Sequence, residues 1–139
     1  MASLLKRSEI PDKMILVDST IWIEFLRSNT EYVEEMEGLM EAREVITIEP
    51  LFAELLYGCR SEKDRSKILS YWKVLPRLDF SHGSIIEAAE FANTNNFHNL
   101  GIGLIDSVLI KATLENKCLI WTLDKKILTN TDKQFLYKS

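Results

Sequence analysis

Four short runs of strand-forming residues, separated by stretches with helical periodicity, narrow the folds open to this chain. They are Met14-Ile15-Leu16-Val17, Val45 to Ile48, Leu78-Asp79-Phe80 and Cys118 to Trp121. The first is apolar throughout and does not alternate. That pattern suits a strand buried on both faces of a parallel sheet. Helical spacing follows it, with Ile21, Trp22, Phe25 and Leu26 on one side. Thr30 then has a capping-box look before Val33, Met36, Leu39 and Met40. After the second run, Pro50 sits where a first helical turn tolerates it, and Leu51 to Tyr57 continue as helix until Gly58. Ser61 opens a helix carrying Ile68, Leu69, Trp72 and Leu75, which stops near Pro76. Ser84 to Ala92 reads as helix with Ile85, Ile86, Ala88, Ala89 and Ala92 buried, and Asn93 to Gly103 as a polar loop. Leu104 to Glu115 is the most apolar helix. Strand and helix in alternation predict an α/β layer fold around a central parallel sheet.

The 139 residues suffice for one domain with a core of its own. Residues 1–13 read as a polar leader, and 14–139 as the single domain. Lys6 and Arg7 imitate the start of a signal peptide, but Ser8, Glu9, Pro11, Asp12 and Lys13 follow where an apolar stretch belongs. No run approaches the roughly eighteen apolar residues of a membrane span, so a cytoplasmic location is expected. Cys59 and Cys118 are too few for a disulfide framework, and no Cys/His pair has zinc-ligand spacing. His82 and His98 stand alone. Acidic residues number 21 against 17 basic; set four carboxylates aside and the balance is even. Global charge therefore does not announce a nucleic-acid partner, and any phosphate binding must be local.

The four carboxylates are Asp18, Glu54, Asp106 and Asp124. Asp18 follows the first strand and Asp124 lies just past the last, at the sheet edge where open α/β folds form their ligand crevice. For either alone, a turn or helix cap is the ordinary role. At about 100° per residue, Asp106 projects between Leu109 and Ile110, near Thr113, with Ser107, Lys111 and Glu115 on the opposite, wetter side. An acidic first-turn residue is favoured by the helix dipole, which accounts for its position but not its face. Glu54 lies at the edge of the stripe formed by Leu51, Phe52, Leu55, Leu56 and Cys59, an ordinary place for a solvated glutamate. If these groups meet, a divalent cation or a bound proton must offset their repulsion. Oxygen donors without His or Cys indicate Mg²⁺ or Mn²⁺.

Four segments together resemble the PIN-domain family, and most of all the VapC toxins of VapBC toxin–antitoxin pairs. They are Ile15-Leu16-Val17-Asp18-Ser19-Thr20-Ile21-Trp22-Ile23, Ala53-Glu54-Leu55-Leu56-Tyr57-Gly58, Gly103 to Thr113 around Asp106, and Cys118 to Asp124. The resemblance implies a three-layer α/β/α fold with a central parallel sheet of four to five short strands. It implies a metal-dependent endoribonuclease in which Asp18, Asp106 and Asp124 ligate Mg²⁺ or Mn²⁺ and Glu54 completes the catalytic set. Ser19, Ser107 and Thr122 fall at positions where small hydroxyls line such pockets, although helix capping accounts for them equally well. An RNA substrate, a protein antitoxin and a homodimer are the implied partners. Arg60, Lys111, Lys125 and Lys126 are candidate RNA phosphate contacts. Many relatives carry an aspartate where Lys126 stands and a small polar residue where Leu123 stands. A catalytically silent PIN fold that binds RNA or protein is the alternative. A phosphoacceptor receiver domain would need paired acids after the first strand, and a haloacid-dehalogenase-like phosphatase would need Asp-x-Asp there. Asp18-Ser19-Thr20 provides neither.

Overall fold

A computed structural model describes the backbone of Leu4–Leu5 and residues 14–138. The remainder of the expected leader lies outside the described residues. The elements run β1 (Leu4–Leu5), β2 (Ile15–Val17), α1 (Ser19–Leu26), α2 (Thr30–Glu41), β3 (Val45–Ile46), α3 (Glu49–Gly58), α4 (Glu62–Val74), β4 (Arg77–Leu78), α5 (Ser84–Thr94), α6 (Leu104–Asn116), β5 (Leu119–Trp121) and α7 (Lys125–Asn130), then a 3₁₀ turn at Lys133–Phe135.

All described strand pairs are parallel. β2 lies between β3 and β5, with Ile15 opposite both Val45 and Leu119. β1 pairs with β4, and a parallel bridge between Thr47 and Arg77 joins that pair to the edge of β3. Five short strands thus lie in the order β1-β4-β3-β2-β5 within a three-layer α/β/α arrangement. Because β2 is central, Ile15, Leu16 and Val17 are all buried, as their unbroken apolar run requires. Trp22 anchors one helical layer: its ring meets Phe25, Phe52 and Tyr71 at centroid distances of 5.1 to 5.7 Å. Phe25 and Phe52 are likewise core, whereas Tyr57 is almost wholly exposed.

Several helix starts follow from local chemistry. The Ser61 hydroxyl accepts from the Asp64 N–H at 3.0 Å, and Pro50 lies in the first turn of α3. α2 is capped one residue earlier than the sequence suggests, because the Asn29 side chain accepts from the Glu31 N–H. Two burial expectations need correction. Ile85 and Ile86 are exposed, since α5 packs through Ala88, Phe91 and Ala92. Ser107 is not on a wet side: it is fully buried, because α6 is enclosed on nearly every face from Ser107 to Ile110. Its hydroxyl donates to the Gly103 carbonyl at 2.8 Å, which lets a polar side chain sit in the core.

Candidate active site

Adjacent parallel strands deliver their carboxyl ends to the same edge of a sheet, and β2 and β5 do so here. Val17 is paired with Trp121, and the Asp18 N–H continues the ladder by donating to the Trp121 carbonyl at 2.9 Å. The residues just beyond are therefore neighbours although more than a hundred positions apart in sequence.

Asp18 is 1% exposed. Its Oδ2 accepts from the Thr20 hydroxyl at 2.8 Å and from the Thr122 hydroxyl at 2.7 Å. Those hydroxyls are themselves held: Thr20 Oγ1 accepts from the Leu123 N–H and Thr122 Oγ1 from the Asp124 N–H, each at 2.9 Å. The network fixes one carboxylate oxygen and stitches the two strand ends together. Oδ1 is buried and has no hydrogen-bond partner among the described residues. A buried carboxylate oxygen without a partner costs a few kcal/mol. A hard cation or another strong ligand at this point would offset that cost.

Asp124 divides its roles between its oxygens. Oδ1 accepts from the Lys126 and Ile127 N–H groups at 2.8 and 3.3 Å, so it is the N-cap of α7. Oδ2 takes no part in the cap. Capping and site membership, which compete as readings of the sequence, are compatible.

Asp106 is half-buried in the first turn of α6. Burial, then the charges of Asp18, Asp124 and Glu54, push its carboxyl up from 3.8 to about 6. Asp18, Asp124 and Glu54 are therefore each within electrostatic reach of Asp106. The ammonium of Lys126 pulls Asp106 the other way. Glu54, on the exposed side of α3, is also raised, first by partial burial and then by Asp18, while a hydrogen bond from Ser19 lowers it. The cluster is open: among the described residues, no three Asp, Glu, His or Cys side chains stand close enough to hold one ion together. The donor set is nevertheless that of a hard cation, and the unpartnered Asp18 oxygen fits one.

The other expected contacts are scattered around this cluster. Ser19, at the start of α1, faces Glu54, and Thr122 clamps Asp18. Ser107 is tied to its own helix and does not reach the pocket. Arg60 lines a cavity of about 490 Å³ that opens beside Ser19 and Glu54, with Ile23, Leu26, Leu55 and Ile68 on its walls. Lys125 and Lys126 are exposed at the start of α7. Lys111 is ion-paired to Glu115 and, at 3.8 Å, to Glu87, beside a depression formed with α5. Thr20 is the residue that reading the sequence missed. The spacing Asp18-x-Thr20 is its only trace, because the partnership depends on where Leu123 arrives. Burial pushes the Cys118 thiol up to about 11, so it is not a nucleophile.

Residues 15–134 match the family described as PIN domain. Among solved structures, a chain of VapBC2 from Rickettsia felis, bound to a DNA fragment from their promoter, superimposes with a TM-score of 0.68 at 16% identity. That match covers 90% of this chain and 97% of the other. PAE2754 from Pyrobaculum aerophilum matches with a TM-score of 0.52 at 15% identity, over 90% of this chain and 83% of that one. At these identities the likeness is one of fold. No curated protein sequence matches the chain. The family match spans both strand ends and both helices that bring the four carboxylates together, and this chain belongs to the PIN domain family.

Proposed function

We propose that this protein is a metal-dependent endoribonuclease that hydrolyses RNA phosphodiesters, with Asp18, Asp106 and Asp124 holding Mg²⁺ or Mn²⁺. The observation that carries the reading is the buried Oδ1 of Asp18, without a partner among the described residues, beside an Asp106 carboxyl that Asp18, Asp124 and Glu54 together push up. When bound, such an ion polarises phosphoryl oxygens and makes a bound water more acidic. The rest is the work of the chain. Thr20 and Thr122 fix Asp18, so one donor is positioned before substrate arrives. Asp124 offers its second oxygen while its first holds α7. Glu54, exposed and raised from its ordinary value by partial burial and by Asp18, would accept a proton from an attacking water, and Ser19 orients it. Arg60, Lys125 and Lys126 are available to RNA phosphates; Lys111 is committed to two glutamates.

The same reading makes the protein the toxin half of a toxin–antitoxin pair that acts as a homodimer. Its support is the family, the fold shared with a chain of the VapBC2 complex, and the apolar walls of the cavity beside Glu54. An antitoxin segment would cover that cavity. Among the described residues, no helix is long and apolar enough to cross a membrane.

The open spacing of the carboxylates favours a second reading, a catalytically silent PIN fold that binds RNA or protein. One experiment separates the two. A mixed RNA pool is incubated with pure protein in Mg²⁺, Mn²⁺ or EDTA, beside Asp18→Asn and Asp106→Asn. Metal-dependent cleavage lost in both variants supports the enzyme. Cleavage that persists in EDTA or in Asp106→Asn overturns this mechanism, and no cleavage together with no metal binding supports the silent module.

A further inference from the structure

A second cavity, of about 440 Å³, opens beside Thr122, where the start of α2, the end of β5 and the C-terminal segment meet. The C-terminal segment is fixed there by the sheet. Leu136 bridges Ile120 in parallel, and the Tyr137 N–H donates to the Ile120 carbonyl at 2.9 Å. The Tyr137 ring thereby comes to lie 5.2 Å from that of Trp121, and Tyr32 of α2 packs on the same indole at 6.2 Å. Trp121 is buried, whereas Tyr32 and Tyr137 each keep part of their surface open. Two hydroxyls of the lining have already spent their protons: Tyr137 donates to Glu35 Oε2 at 3.0 Å and Thr122 to Asp18 Oδ2 at 2.7 Å. Besides aromatic surface, the cavity therefore offers a ligand the carboxylates of Glu31 and Glu35 and the exposed ammonium of Lys138. Glu31 is exposed and forms no ion pair within 4.0 Å among the described residues.

We propose that this cavity receives one base of the RNA substrate, beside the phosphate to be cleaved, and that it selects guanine. The inference rests on the nuclease reading above. Thr122 belongs both to the cavity wall and to the clamp on Asp18, so a strand lying across the Asp18 site passes the mouth of the cavity. Single-stranded bases are held by stacking on aromatic rings and read along their Watson–Crick edges. Carboxylates only accept hydrogen bonds. Guanine presents two neighbouring N–H donors on that edge, at N1 and N2, which one carboxylate meets with both oxygens. Adenine and cytosine present a single amino group beside an acceptor, and uracil one N–H between two carbonyls. Glu31, unpaired and at the opening, is the acceptor for guanine, while Glu35 holds the Tyr137 ring in place. The acidic face of α2 keeps the sugar-phosphate chain off the helix, and Lys138 is the lining group that attracts it. The same ammonium disfavours an arginine or lysine side chain as the occupant.

The test measures binding without metal or turnover. The full chain, labelled with ¹⁵N and kept in EDTA, is titrated with the 5′-monophosphates of guanosine, adenosine, cytidine and uridine, and with a short arginine peptide. Backbone and indole signals locate each ligand. We expect the guanosine nucleotide to move the signals of Trp121, Thr122, Leu123 and Tyr137, and to bind about tenfold more tightly than the uridine nucleotide. Glu31→Gln replaces one acceptor oxygen by a donor, and should erase that preference with a loss of about tenfold for guanosine alone. Thermal melts confirm that the variant is folded, and its exposed position makes no demand on the core. Equal affinity for all four nucleotides, no binding, shifts confined to other surfaces, or an unchanged preference in Glu31→Gln would each overturn the proposal. So would an arginine peptide that fills the cavity more tightly than any nucleotide. Cleavage of a mixed RNA pool separates the two readings: metal-dependent cutting with no guanine preference removes the base site and keeps the nuclease. Guanosine held in the cavity of a protein that cuts no RNA removes the nuclease, and with it the placing of that base beside a cleaved phosphate.

Discussion

Removing the Asp106 charge should stabilise the metal-free protein while abolishing its response to metal. Its carboxyl titrates near 6 in the fold against 3.8 without the site, because it is half-buried and faces Asp18, Asp124 and Glu54. The sign follows from linkage: a raised acid destabilises the fold when ionised, and the penalty is complete above 6 and gone below 3.8. At full strength, a displacement of this size corresponds to about 3 kcal/mol. Solvent reaches a good part of the group, so screening leaves about 1–2 kcal/mol. For a chain of this length, that is a rise in Tm of about 3–8 °C. Asp106→Asn should therefore melt higher than wild type at pH 8 in EDTA, and the gap should close as the pH falls from 6 towards 3.8. Mn²⁺ at a hundred times its Kd should raise wild type by about 2.7 kcal/mol and the variant by much less, reversing the order of the two melts. Differential scanning calorimetry at three pH values, with and without Mn²⁺, measures all of this. An Asp106→Asn protein less stable than wild type at pH 8 in EDTA, or a gap that does not depend on pH, refutes the charge-cluster reasoning.

Other perturbations separate structural from chemical roles. Thr122→Val removes a hydrogen bond to a buried carboxylate and should cost about 1.5–3 kcal/mol in urea denaturation, with weaker Mn²⁺ binding in calorimetry. Thr20→Val should act in the same direction, and the double variant should lose more than the two singles added, because only the double leaves that oxygen without a donor. Gly101→Ala should destabilise by about 1–2 kcal/mol, since its φ is +74° and its Cβ would crowd the Lys126 side chain; a change below a few tenths would refute the placement of that turn. Asp124→Asn keeps the cap of α7 through its side-chain oxygen, so chemical denaturation should move by less than about 0.5 kcal/mol, while Asp124→Ala should lose about 1 kcal/mol. Both should lose metal binding by calorimetry, and an Asp124→Asn variant that retains it would confine Asp124 to capping.

The parts of the molecule legible in the sequence are those fixed by local pattern. The unbroken apolar run before Asp18 is a central strand because a strand with parallel neighbours on both edges, sandwiched between helical layers, has no wet face to alternate with. Ser61 and Pro50 mark helix starts because capping is settled within four residues. The faces of α5 and α6 were harder. Helical periodicity ranks faces by apolarity, but Ile85 and Ile86 are exposed and Ser107 is buried. A serine can enter a core when its hydroxyl bonds its own helix, and hydropathy does not encode that exchange. Arg60, Lys111, Lys125 and Lys126 look alike in sequence. Only the fold shows that Lys111 is occupied by Glu87 and Glu115 while Lys126 lies over Gly101.

The site shows the same division between local and distant information. Each carboxylate, taken alone, has an ordinary explanation in a cap, a first turn or a wet edge, and for Asp124 that explanation is true of one oxygen. What the sequence could not display is the wiring from Asp18 through Thr20 to the Leu123 N–H, and through Thr122 to the Asp124 N–H. Those bonds depend on β2 and β5 being adjacent and in register, a fact set by more than a hundred intervening residues. The consequence is chemical as well as architectural. Both hydroxyls spend their donors on the same oxygen of Asp18, so the other oxygen is buried without a partner among the described residues. A fold selected for stability alone would gain by removing that buried charge. Its presence beside three more carboxylates is what the proposed cation site would require.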